Sequence, residues 1–142
     1  MKLNLDYSVV KNNVLNNVLP YIDHIETKEV IMNALAIDIA RDYNNIHIWN
    51  NSVLLGVGLI IVGSSLTGML WTILGASAIG LGIINEIHCF KENKGFKALH
   101  AALLLHLSEV RELSFDELSE ELNSITLEEM KDFLDKSVYT AF

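Results

Sequence analysis

Cysteine and proline are nearly missing from this chain, which has one of each, Cys89 and Pro20. A lone thiol excludes an intramolecular disulfide framework and suits a reducing compartment. A single proline leaves almost the whole length open to helix, because proline is the residue that breaks helices. Positive charge is scarce too. Ten Lys and Arg stand against 18 Asp and Glu, giving a net charge of −8. The acids crowd between Glu109 and Lys136. That stretch repels phosphate backbones, so no nucleic-acid partner is expected there. The opening "MKLNLDYSVVKNN" lacks a basic stretch followed by an apolar run, so no cleavable signal peptide is expected. Strand signals and internal repeats are absent. No Ser/His/Asp or Cys/His nucleophile arrangement can be read, and "GVGLIIVG" has no Lys after it to make a phosphate loop. The chain is therefore expected not to be an enzyme, and to use no cofactor and no metal.

The most conspicuous lack is also a presence. Between Asp42 and Glu86 there is no Asp, Glu, Lys or Arg. The hydrophobic fraction of 51% and the mean hydropathy of +0.32 owe their excess to this block. A single spanning helix needs about 20 apolar residues for a hydrocarbon core of roughly 30 Å, and the block is much longer. Its middle, "GSSLTG" at 63–68, carries turn residues where one span would be most apolar. Two antiparallel helices with a turn near 64–68 fit better. Arg41 lies before the block and Lys91, Lys94 and Lys97 after it, while the tip has no charge. The positive-inside tendency then places both termini in the cytoplasm, in the cytoplasmic (inner) membrane, with Trp49 and Trp71 at opposite interfaces.

Small residues recur within the block as Ser64/Gly68, Ala76/Gly80 and Ala78/Gly82, with Gly56, Gly58, Gly63 and Gly75 adding flat surface. In lipid, helix association relies on close backbone approach through such residues. They occupy more than one helical face, so a homo-oligomer within the lipid bilayer is expected. Ser52, Ser65, Thr67, Thr72 and Ser77, with Ser64, are the candidates for lining a pore or bridging helices.

The flanks read as amphipathic helices. Val10, Val14 and Val18 form one stripe ahead of Pro20, and Thr27 is placed to cap a long helix through "KEVIMNALAIDIARDYNNIHIW". The asparagine pairs at 44–45 and 50–51 read as weak points in it. "KENKG", 91–95, reads as a polar break before an apolar helix over 96–112 that turns Leu99, Leu103, Leu104 and Leu107 to a core. "SFDE" at 114–117 and "TLEE" at 126–129 are capping boxes opening two further helices. The expected organisation is all-α: N-terminal amphipathic helices over 1–45, a transmembrane hairpin over 46–88, and an acidic three-helix cytosolic module over 95–142.

Folding the hairpin about residue 66 brings His47 towards Asn85 and Glu86, and His88 towards Asn44 and Asn45. His47, Glu86 and His88 thus form a candidate interfacial polar cluster beside Cys89. Zinc accepts such ligands, but Glu86 and His88 are two residues apart and face different sides of a helix. The cluster reads as polar residues capping the spans. "RDYNNIH", Arg41 to His47, resembles the R-x(4–6)-H pattern of HEPN-type ribonucleases, which implies RNA cleavage by two copies meeting in a helical dimer. The adjacent uncharged block and the acidic balance oppose that activity. "SFDELSEELNSITLEEMKDFL" has a helix–turn–helix rhythm, but its second helix carries acids where a DNA reader needs Arg, Lys or Asn. His100 and His106 lie on different faces of their helix. The function expected is therefore a small oligomeric, channel-like or membrane-permeabilising effector controlled by its cytosolic helices. Those helices are candidates to meet a protein partner or small ligand. One alternative is a non-channel membrane adaptor or immunity-type protein. Another is a soluble bundle that hides the hairpin, similar in organisation to pore-forming colicin domains.

Overall fold

The computed structural model describes residues 7–63 and 68–136. It is all-helical, with no strand among the described residues. Helix α1 (Tyr7–Asn13) passes into a π-helical turn, Val14–Val18, and a 3-10 turn, Leu19–Tyr21, that holds Pro20. Two 37-residue helices follow, α2 (Thr27–Gly63) and α3 (Met69–Leu105). After a π-helical turn at His106–Val110 come α4 (Phe115–Ser124) and α5 (Leu127–Lys136). The chain divides into two compact units, Met1–Arg41 with Gly95–Phe142, and Asp42–Lys94.

The first unit has a conventional water-excluding core. Val10, Val14 and Val18, spaced four apart, are all buried, as the stripe required. Val30, Ile31, Ala34 and Ile37 of α2 are buried with them, while Ile39 is exposed. From α3 and its π-turn come Phe96, Leu99, Leu103 and Leu107, and from α5 come Met130 and Leu134. The N-terminal and C-terminal segments thus supply one core. Fully burying a side chain of this size contributes about 1.5–3 kcal/mol.

Local chemistry ends and starts the helices in this unit. Ser114 accepts from the Glu117 amide while the Glu117 carboxylate accepts from the Ser114 amide, and Thr126 and Glu129 repeat the reciprocal pair. Both capping boxes expected from the sequence are formed. Thr27 is a correction. Glu29 and Val30 direct their amides to the Glu26 carbonyl, so Thr27 is the first helical residue rather than the cap. Its hydroxyl accepts instead from Arg111 Nη1 at 2.6 Å. Arg111 Nη2 donates to the carbonyls of Ile22 and Ile25, so one guanidinium closes the turn ahead of α2. Glu112 beside it is left-handed (φ 52°), and the Leu113 amide reaches back to Leu107, as in helix stops usually built on glycine.

Neither expected interruption of the long helices occurs. "KENKG" lies within α3, and 44–45 and 50–51 lie within α2. Gly95 lies inside α3, and its missing side chain makes room for Tyr7: a Cβ there would run into the Tyr7 ring and hydroxyl. Tyr7 in turn meets Phe96 edge-on, with ring centroids 4.6 Å apart. The glycine is explained by packing across the core, which a local pattern does not reveal.

Candidate functional site

The second unit, Asp42–Lys94, is a helical hairpin from α2 and α3, and three glycines make it possible. Gly58, Gly75 and Gly82 are buried, and each meets the opposite helix. A Cβ on Gly58 would lie 2.9 Å from Ile79 Cγ1 and 3.0 Å from the Gly75 carbonyl oxygen. One on Gly75 would lie 2.7 Å from Val62 Cγ2 and 3.1 Å from the Gly58 carbonyl oxygen. One on Gly82 would lie 2.7 Å from Leu55 Cγ. Gly58 and Gly75 thus mark a close backbone crossing of the kind small residues permit in lipid. Gly56, Gly63, Gly68 and Gly80 behave differently, with nothing within 4 Å of the added Cβ. Ala76 is exposed and Ala78 half-buried. Ser64, Ser65 and Thr67 lie outside the described residues.

Polar side chains tie the two helices at the end away from the turn. Asn44, only 7% exposed, uses both its N–H donors. One goes to the Cys89 carbonyl at 3.0 Å and the other to Asn93 Oδ1 at 2.8 Å. Asn93 Nδ2 then donates to Asn45 Oδ1 at 2.7 Å. The asparagine pair that looked like a weak point is a cross-helix clasp. A fold about residue 66 sets His88 rather than Asn93 opposite Asn44 and Asn45, so the clasp was not legible in the sequence.

Ser52 Oγ lies 2.7 Å from Glu86 Oε1 and 3.0 Å from the Ile48 carbonyl oxygen. Ser77 donates to the Ile73 carbonyl at 2.9 Å, and Ser52, Thr72 and Ser77 are all exposed. The three members of the interfacial cluster take separate partners. His47 stacks edge-on against Tyr43 with centroids 4.7 Å apart, Glu86 meets Ser52, and His88 Nε2 lies 2.7 Å from Glu92 Oε1. Among the described residues, no three His, Cys, Asp or Glu side chains converge on a position for a metal ion. In the first unit Arg41 and His100 both contact Asp38, at 3.6 and 3.1 Å, while His106 Nε2 is buried without a hydrogen-bond partner.

The outer surface of the hairpin is apolar. Ile60 is 72% exposed, Met69 83%, Trp49 71% and Trp71 55%. α2 and α3 are both long and apolar enough to cross a membrane. At 1.5 Å per residue each measures about 55 Å, well beyond the roughly 30 Å of a hydrocarbon core. Comparison with protein-family models, with curated proteins and with solved structures finds no match to this chain.

Proposed function

We propose that this chain is an integral membrane protein whose hairpin assembles with further copies to make the bilayer permeable, under control of the helices of the first unit. The observation that carries the reading is the exposure of the apolar spans. Of an apolar 18-residue window in each of the helical runs Thr27–Gly63 and Met69–Val110, 6% and 11% is buried. A hairpin hidden inside a soluble bundle would have most of such a window covered, so the exposure favours lipid as its solvent. The two classes of glycine support assembly. Gly58, Gly75 and Gly82 are consumed by the hairpin's own contact, whereas Gly56, Gly63 and Gly80 leave small-residue surface for a neighbouring copy. Exposed Ser52, Thr72 and Ser77 supply the polar groups that a water path needs. Control by the first unit is supported by continuity, because α2 and α3 each enter both units without a break.

The bilayer proposed is the cytoplasmic membrane, with both ends of the hairpin on the cytoplasmic side, where Arg41, Lys91 and Lys94 meet anionic headgroups. The test is direct. Purified protein added to dye-loaded liposomes is expected to resist carbonate extraction, crosslink beyond the monomer and release dye. Protein that is extracted by carbonate ends the membrane reading. Protein that stays in the bilayer as a monomer with the dye retained reduces the hairpin to an anchor.

A further inference from the structure

Glu86 is the first acid after Asp42, and Ile83, Ile84 and Ile87 beside it are exposed and apolar. Ser52 on α2 shares its hydroxyl hydrogen between the Ile48 carbonyl, 3.0 Å away, and Glu86 Oε1, 2.7 Å away. Oε2 has no partner among the described residues, and no lysine or arginine pairs with this carboxylate there. A carboxylate turned to hydrocarbon is costly, and contact with water removes the cost. The flank of the hairpin that carries Ser52 and Glu86 is therefore the flank that has to be wet.

Helical spacing gives the rest of that flank. At about 100° per residue, Asn45, Ser52, Gly56 and Gly63 of α2 fall within an arc about 40° wide. Asn45 accepts from Asn93, and a Cβ on Gly56 or Gly63 would meet nothing within 4 Å. Leu54 and Val57, turned away from the arc, are exposed and apolar. On α3, Thr72 stands two heptads before Glu86 and returns to within about 40° of it. Ser77 lies about 180° round from Glu86 and gives its hydrogen to the Ile73 carbonyl. Of the three exposed hydroxyls named above, Ser52 and Thr72 thus share one flank, and the one charge on it within the apolar block is negative. Resting on the permeabilising reading given above, we infer that this flank lines the water path and that the path passes cations, selected by one Glu86 carboxylate from each copy. Rings of carboxylates favour cations over anions in this way. The bases Lys91 and Lys94 follow about 8 and 12 Å further along α3, past the apolar block, with Glu92 between them.

Planar bilayers holding the full chain, with a potassium chloride gradient across them, test the path by its reversal potential. The wild type is expected to reverse on the potassium side, most clearly in dilute salt, where the carboxylate is screened least. Glu86→Gln should bring the potential close to zero, and Ser77→Ala should leave it where it was. A cationic thiol reagent should reduce the current of Ser52→Cys and Thr72→Cys but not of Ser77→Cys, with the buried Cys89 of the wild type as background. A wild-type reversal at zero or on the chloride side, or one unmoved by Glu86→Gln, overturns the inference and leaves the permeabilising reading standing. Cysteine variants that respond alike at all three positions overturn the assignment of the flank. The wild-type potential and the cysteine pattern carry the test alone should Glu86→Gln lose its helical circular dichroism. Protein that resists carbonate extraction yet passes no current sinks the permeabilising reading, and the cation path falls with it.

Discussion

The same two helices solve opposite packing problems in the two units. In the first unit, residues 27–41 of α2 turn Val30, Ile31, Ala34 and Ile37 into a core, with Asn33 buried among them and donating to the Glu29 carbonyl. In the second, Val53, Leu59, Ile60 and Ile84 face outward, and glycine and asparagine occupy the interior. A helix in water buries what is apolar, whereas a helix in lipid gains nothing by doing so and brings backbones together through small residues. The contrast predicts that deleting apolar bulk should be severe in one unit and nearly silent in the other. Phe96→Ala, at a side chain 1% exposed, should destabilise the first unit by about 3–5 kcal/mol. Ile60→Ala, at a side chain 72% exposed, should leave unfolding of the detergent-solubilised chain within about 0.5 kcal/mol of the wild type. Denaturant unfolding followed by circular dichroism distinguishes them, and equal losses would mean that the outer face of the hairpin is covered by protein.

Adding bulk should reverse the ranking inside the second unit. Gly75→Leu must displace Val62 and the Gly58 backbone, 2.7 and 3.1 Å from the new Cβ, at a cost of about 1–3 kcal/mol. Gly80→Leu meets no atom of the chain within 4 Å at its Cβ. It should keep the monomer's thermal midpoint and reduce crosslinking between copies. A Gly80→Leu protein that crosslinks as well as the wild type would remove this face from the assembly.

The asparagine clasp gives a smaller effect. Asn44→Ala removes the donors to the Cys89 carbonyl and to Asn93. Polar contacts between membrane helices are worth about 0.6 kcal/mol on average, so a loss of about 1 kcal/mol is expected. Asn93→Ala combined with Asn44→Ala should then add little, since both remove one network. Additive losses would show that the two side chains act independently.

What the sequence made legible was local or periodic. The capping boxes at Ser114 and Thr126 need only three residues of context, and the Val10, Val14, Val18 and Leu99, Leu103, Leu107 stripes need only helical spacing. What it concealed was long-range. "KENKG" looked like a stop because Gly95 lacks a side chain, and the Tyr7 ring that fills the space comes from the other end of the chain. Thr27 looked like a cap until Arg111 claimed its hydroxyl. The candidate site was half legible. The small residues were visible as a set, but their division into packed and open glycines depends on the register of the hairpin. A fold centred on residue 66 brought Glu86 to His47, whereas the helices pair it with Ser52. Moving that register by a turn exchanges every polar neighbour while leaving the hydrophobic pattern unchanged.

Ion pairing separates the units last and most weakly. Lys28 and Glu129 join α2 to α5 in the first unit at 2.8 Å, with side chains 45% and 43% exposed. The hydrogen bond from Lys28, then that from the Thr126 amide, holds the Glu129 carboxyl below its ordinary value of 4.5. The same Glu129 contact holds the Lys28 ammonium above its ordinary 10.5. A lowered carboxyl stabilises the fold in full above 4.5, and that contribution fades as pH falls through the depressed value. A raised amine contributes in full below 10.5 and fades as pH rises through its elevated value. Between those limits the contact is at full strength. Lys28→Met should therefore lower the thermal midpoint slightly at neutral pH and flatten its fall towards acid, part of the slope surviving because Thr126 still donates to Glu129. The difference from wild type should shrink in high salt, which screens an exposed pair. Among the described residues the second unit has only His88–Glu92 as an ion pair. A salt-dependent midpoint that persists unchanged in Lys28→Met would place the responsive charges in other pairs, such as Asp38 with Arg41 and His100.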